Sequence, residues 1–117
     1  MYYTYIIRTE NGFLYTGIAK DLFSRMKDHA TQNKKCAKFT KSQKIKSLEA
    51  VWSSADRSQA SRLECALKAL TKKQKEDLIR SPRLFSLFLP RLDKEDFVHH
   101  PMANLDLYLK KTDLSSL

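Results

Sequence analysis

The chain has 117 residues, 42% of them hydrophobic and 30% charged, with two glycines and three prolines. That size and composition describe one globular domain and exclude both two independent cores and a long disordered linker. With 22 lysines and arginines against 13 aspartates and glutamates, the net charge is +9, a field that attracts polyanions and places nucleic acid first among partner classes.

The opening "MYYTYIIRTE" lacks a basic segment followed by an apolar core, and no run approaches about 18 apolar residues, so a cytoplasmic protein without a membrane span is expected. Cys36 and Cys65 stand far apart with no clustered histidines beside them, the pattern of free thiols rather than a zinc site or a disulfide framework.

Residues 3–8 and 13–18 are rich in aromatic and β-branched side chains and flank Glu10-Asn11-Gly12, which predicts a β-hairpin. Two registers fit. A two-residue Asn-Gly turn puts Tyr5 and Tyr15 on opposite faces of the sheet. A three-residue loop with Gly12 left-handed pairs residue 7 with 15 and 5 with 17, making the tyrosines diagonal neighbours on one face.

Asp21 is placed to cap a helix over 22–31, with Leu22, Met26 and Ala30 on its apolar stripe and Arg25 and His29 along the border. Residues 34–46 carry six lysines and Phe39 without a period, a basic loop leading to a third strand at about 47–53. Asp56 and Gln59 resemble a capping box for a helix over 57–70 whose core face is Ala60, Leu63, Leu67 and Leu70, with Glu64 at its edge. Thr71 and Gln74 cap a further helix over 72–80, closed by Ser81-Pro82. The tail, "LFSLFLP" and "NLDLYLKK" broken by Pro90 and Pro101, shows no catalytic signature; wrapping the core and forming a dimer contact both suit it. His99-His100 reads as exposed loop without a metal role.

Tyr3-Thr4-Tyr5, Tyr15-Thr16-Gly17, Arg25, His29 and Glu64 resemble the motifs of the GIY-YIG nuclease family, with Arg25 ten and His29 fourteen residues after Tyr15. Residues 2–80 are similar to its small stand-alone bacterial members with a URI-type domain. The first motif has Tyr-Thr-Tyr for Gly-Ile-Tyr, the second Tyr-Thr-Gly for Tyr-Ile-Gly, and no asparagine follows Glu64 before Asn104.

The resemblance implies an α+β fold with a three-stranded antiparallel sheet flanked by helices, a nuclease domain over residues 1–81 and a helical C-terminal extension over 82–117. It implies hydrolysis of DNA phosphodiesters with one divalent cation, Mg2+ or Mn2+, and it selects the three-residue hairpin loop. By position Tyr5 is the general base and Tyr15 its companion, Arg25 faces the scissile phosphate, His29 assists the tyrosine and Glu64 holds the metal. Lys34, Lys35, Lys38, Lys41 and Lys44 are the expected DNA contacts, with branched or damaged DNA as the target and a monomer or weak homodimer as the active form. A non-catalytic basic module that binds nucleic acid on the same scaffold is the rival reading.

Overall fold

The computed structural model describes residues 1–22, 24 and 45–100. Strands β1 (Tyr2–Thr9) and β2 (Leu14–Ala19) form the predicted hairpin. Gly12 has φ +85°, a conformation that glycine reaches without a Cβ clash, and the Thr9 N–H donates to the Phe13 carbonyl at 2.9 Å. The loop therefore has three residues, and the register is Ile7 opposite Tyr15 and Tyr5 opposite Gly17.

Strand β3 (Ile45–Ser54) lies antiparallel on the other side of β1. Pairing passes from Ile6–Ala50 to Ile7–Leu48, which leaves Glu49 as a bulged extra residue. A short strand β4 (Val98–His100) adds to β3, giving the order β2-β1-β3-β4 among the described residues. The three-stranded expectation is thus corrected to four. Three residues are too few to show alternation, so β4 carries no readable period.

Helix α1 (Arg57–Lys68) is capped by Asp56, whose Oδ1 accepts from the Gln59 N–H at 2.9 Å. The reciprocal bond is displaced by one residue, because Gln59 Oε1 accepts from the Ala55 N–H at 3.1 Å. Helix α2 (Lys72–Arg80) has the complete predicted box between Thr71 and Gln74. Beyond Pro82 come a 3-10 turn (Pro82–Leu84), the one-turn helix α3 (Phe85–Phe88) and a second 3-10 turn (Lys94–Asp96) before β4.

The sheet buries both faces. On one face Ile6, Ala50 and Trp52 meet Leu63 and Leu67 of α1, Leu78 of α2, and Phe85, Leu89 and Phe97 from the tail. On the other, Tyr5, Ile7, Leu48 and Val51 enclose Leu22, with Tyr3 and Tyr15 at the margin. Burying each large apolar side chain stabilises the fold by about 1.5–3 kcal/mol, and α1 and the tail supply much of one layer.

Arg8 ties three elements together. Its guanidinium forks onto the Glu76 carboxylate of α2, with Nη1 2.9 Å from Oε2, and its Nε donates to Glu49 Oε1 at 2.6 Å. These side chains are partly screened, at 20% exposure for Arg8 and 31% for Glu76. Removing Arg8 would leave two half-buried carboxylates without a partner, so Arg8→Ala is expected to cost about 1–3 kcal/mol in chemical denaturation. The hydrogen bond from Arg8 holds the Glu76 carboxyl below its ordinary value of 4.5. A depressed carboxyl stabilises the fold above its unfolded value and loses that contribution as pH falls below about 4.5. Denaturation midpoints measured across that range should fall more steeply for wild type than for Arg8→Met.

Candidate active site

Tyr5 stands on the central strand and is fully buried, at 0% exposure. Its ring crosses toward the edge strand and lies over Gly17: a Cβ added there would come within 2.5 Å of Tyr5 Oη and 2.7 Å of Cζ. A phenol rooted on β1 thus delivers its hydroxyl to β2, and the missing side chain of Gly17 makes the passage. Tyr15, opposite Ile7, shares the face with Tyr5 and is half-buried.

Glu64 comes from the other side. Helix α1 packs on β1 and β2 across the opposite face, where Thr4 Oγ1 donates to the Ala60 carbonyl at 3.2 Å. The Glu64 side chain is 24% exposed, and Lys68 Nζ lies 3.6 Å from Oε2, outside hydrogen-bond length. Glu64 is thus carried by a helix that packs on β1 and β2 from the face of Thr4 and Ile6, while Tyr5 points to the other face.

Asp21 Oδ1 accepts from the Ser24 N–H at 3.1 Å, as the cap reading requires, and Leu22 is buried on the tyrosine face, while the rest of the helix expected over 22–31 lies outside the described residues. Arg25, His29, Lys34, Lys35, Lys38, Lys41 and Lys44 lie outside the described residues. Cys65 is an exposed free thiol. Among the described residues there is no group of three or more His, Cys, Asp or Glu side chains able to hold a metal by themselves.

Two features escaped the sequence. The roles of Thr4 and Gly17 follow only once the hairpin register is known, because both depend on what lies opposite. His99 and His100 are half-buried on β4 rather than exposed in a loop, which corrects that expectation. His100 Nε2 is 2.9 Å from Ser53 Oγ, and its ring lies 6.1 Å from that of Tyr3. His99 packs against Trp52, 5.6 Å between ring centroids.

Burial, with a smaller contribution from neighbouring His100, pushes the His99 imidazole below its ordinary 6.5. The unfolded chain then takes up this proton first, so the contribution to stability is full above about 6.5 and is lost as pH falls below it. NMR titration should show His99 protonating below its free value, with β4 amide protection factors, corrected for intrinsic exchange, decreasing over the same range.

An antiparallel sheet that brings two tyrosines to one face beside its edge strand, with a glutamate on the helix packed behind, is the architecture of a GIY-YIG nuclease-type domain. The chain belongs to the GIY-YIG family: the profile of the GIY-YIG catalytic domain matches residues 1–77. A UPF0213 protein of Fusobacterium nucleatum is 43% identical over 84 residues, covering 72% of this chain and 82% of the relative. The UPF0213 protein YhbQ of Salmonella typhimurium is 38% identical over 91 residues, covering 78% and 89%. A solution NMR structure of a UPF0213 protein from Bacillus halodurans has 31% identity and a TM-score of 0.43, covering 76% of this chain and 97% of that one. GIY-YIG nucleases typically use a divalent metal ion, and the family implies DNA as substrate. No described helix is long and apolar enough to cross a membrane.

Proposed function

We propose that this chain is a metal-dependent DNA endonuclease, with residues 1–81 as the nuclease domain and residues 82–117 as an extension. The observation that carries the reading is the delivery of the Tyr5 hydroxyl across Gly17 onto the face shared with Tyr15.

A phosphodiester repels nucleophiles, so a site that cleaves it must supply positive charge where the transition state gathers negative charge. Arg25 offers a planar fork for the scissile phosphate. Tyr5 takes the proton of the attacking water; an ordinary phenol, with a pKa of about 10, needs nearby cations to do so near neutrality. Tyr15 and His29 orient that hydroxyl. Lys34, Lys35, Lys38, Lys41 and Lys44 contact the duplex backbone, which gives affinity without sequence choice.

Glu64 fits a hard cation: its carboxylate is partly exposed and, among the described residues, its ion pair is the long one to Lys68. Magnesium or manganese keeps several waters and phosphate oxygens and accepts one or two carboxylates, so a protein cage is unnecessary. When bound, the ion supplies positive charge at the leaving oxygen.

The test compares wild type with Tyr5→Phe, Arg25→Ala and Glu64→Ala on linear, nicked, flapped and branched DNA, with magnesium and with chelator. Cutting by wild type alone, and only with metal, supports the enzyme, and the preferred substrate identifies branched or damaged DNA as the target.

The complete burial of Tyr5 favours a second reading, because a base must reach the water it activates. In that reading the chain binds nucleic acid without cutting it, and all four proteins would bind DNA and leave it intact. Sedimentation of the same samples distinguishes a monomer from a weak homodimer.

A further inference from the structure

Helix α1 carries one acid, Glu64, among three cations, Arg57, Arg62 and Lys68. At 3.6 residues per turn, Arg57, Ser61, Glu64 and Lys68 fall within about 60° of one another and form one stripe along the helix, beside the face that buries Ala60, Leu63 and Leu67. Arg62 lies about 100° or more outside that stripe. Arg57 and Lys68 are exposed, and Ser61 and Glu64 are half-buried. Where α1 ends, α2 opens with exposed Lys72 and Lys73. Arg57, Lys72 and Lys73 take part in no ion pair among the described residues. The flanking acids are engaged elsewhere: Asp56 caps α1, Glu76 is gripped by Arg8 and Asp77 by Arg80. Arg57, Lys72 and Lys73 also stand in first helical turns, where the macrodipole disfavours cations, so helix stability does not account for them.

We propose that this stripe is a track for the phosphates of one DNA strand, which leads the scissile phosphate to Glu64. The placement of the scissile phosphate rests on the proposed nuclease function; the contact with the backbone does not. At 1.5 Å per residue, Arg57 stands about 10 Å along the helix from Glu64 on one side and Lys68 about 6 Å on the other. The row from Arg57 to Lys68 is about 16 Å long, which matches about five phosphates of one duplex strand at about 3.4 Å each. Arg57 offers a fork and Ser61 a hydroxyl donor, and Lys68, Lys72 and Lys73 carry the positive charge on past the end of α1. Glu64 is the one negative charge in the row, so a strand meets it without repulsion only through a cation or after its charge is removed. Phosphates carry no sequence information, so the track gives affinity and orientation and leaves base choice open.

The full chain carrying Glu64→Gln is titrated with a linear DNA duplex over a series of salt concentrations, with chelator present, so that neither metal nor cleavage enters the measurement. Adding Arg57→Gln and Lys68→Gln together should lower the slope of log affinity against log salt by about two, roughly 0.9 for each lost phosphate contact. Binding should weaken about tenfold or more at physiological salt, with the circular dichroism melt unchanged. Arg62→Gln with Arg91→Gln removes the same two charges from exposed positions off the stripe and should leave the slope nearly unchanged. Arg57→Lys with Lys68→Arg keeps both charges and should bind as the Glu64→Gln chain does. An undiminished slope with the Arg57 and Lys68 glutamine pair, an equal loss from the Arg62 and Arg91 pair, or an equal loss from the charge-keeping pair would overturn the track. If wild type failed to cut DNA with magnesium while the slope still fell, the nuclease function would be lost and the backbone contact would stand; cutting with an undiminished slope would mean the reverse.

Discussion

Glutamine in place of Glu64 is expected to lower metal-dependent DNA cleavage about a thousandfold while folding and DNA binding persist. The amide keeps the shape of the side chain and loses the charge that a hard cation requires. Structural damage should be slight. The substitution breaks an ion pair at 3.6 Å to Lys68, whose side chain is 55% exposed, and such helix pairs contribute at most about 0.5 kcal/mol. Net charge would rise from +9 by one unit to +10, so attraction to DNA should not fall. Single-turnover cleavage at saturating DNA, beside thermal melts and binding isotherms, gives all three readouts. Cleavage undiminished by the glutamine would remove Glu64 from the metal, whereas a collapsed melt would make its role structural.

Alanine at Gly17 is expected to disrupt the sheet, because it adds a methyl group where the Tyr5 ring already lies. The new Cβ would lie 2.5 Å from Tyr5 Oη and 2.7 Å from Cζ, atoms at the end of a stiff, fully buried ring. Something must shift, and overpacking of this kind costs about 1–3 kcal/mol. Cleavage should fall with it, because displacing the ring displaces the hydroxyl. The Tyr5→Phe background removes only the nearest atom and leaves Cζ, so most of the penalty should remain there. The Tyr5→Leu background removes the ring, and the penalty should shrink, giving a coupling energy measurable in a double-mutant cycle. Gly12→Ala provides the contrast: no atom lies within 4 Å of the added Cβ, so its cost, roughly 1 kcal/mol, comes from the backbone at φ +85°. If Gly17→Ala melted like wild type, the close passage of Tyr5 would be refuted.

Much of the fold was legible because its signals are local. Thr71 and Gln74 satisfy each other's backbone groups within three residues, so the α2 cap follows from composition and spacing alone. Ala60, Leu63 and Leu67 recur at helical intervals and are all buried. The hairpin was only half legible. The residues allowed two registers, and the one observed was selected by the resemblance of the tyrosine motifs, not by the turn itself. The candidate site shows the same division: Tyr5 and Tyr15 were placed correctly on one face, but nothing in the spacing announced that Tyr5 would be fully buried.

By itself the sequence determined the basic charge, and it determined the presence of the hairpin, the capped helices and their apolar stripes, which arise from residues a few positions apart. Tertiary structure alone decided the passage of Tyr5 over Gly17, the bracing of Arg8 by Glu49 and Glu76, and the capture of residues 98–100 as a fourth strand. Those features join groups separated by up to 68 residues. Periodicity records which face of an element is apolar, whereas packing decides which distant partner that face meets.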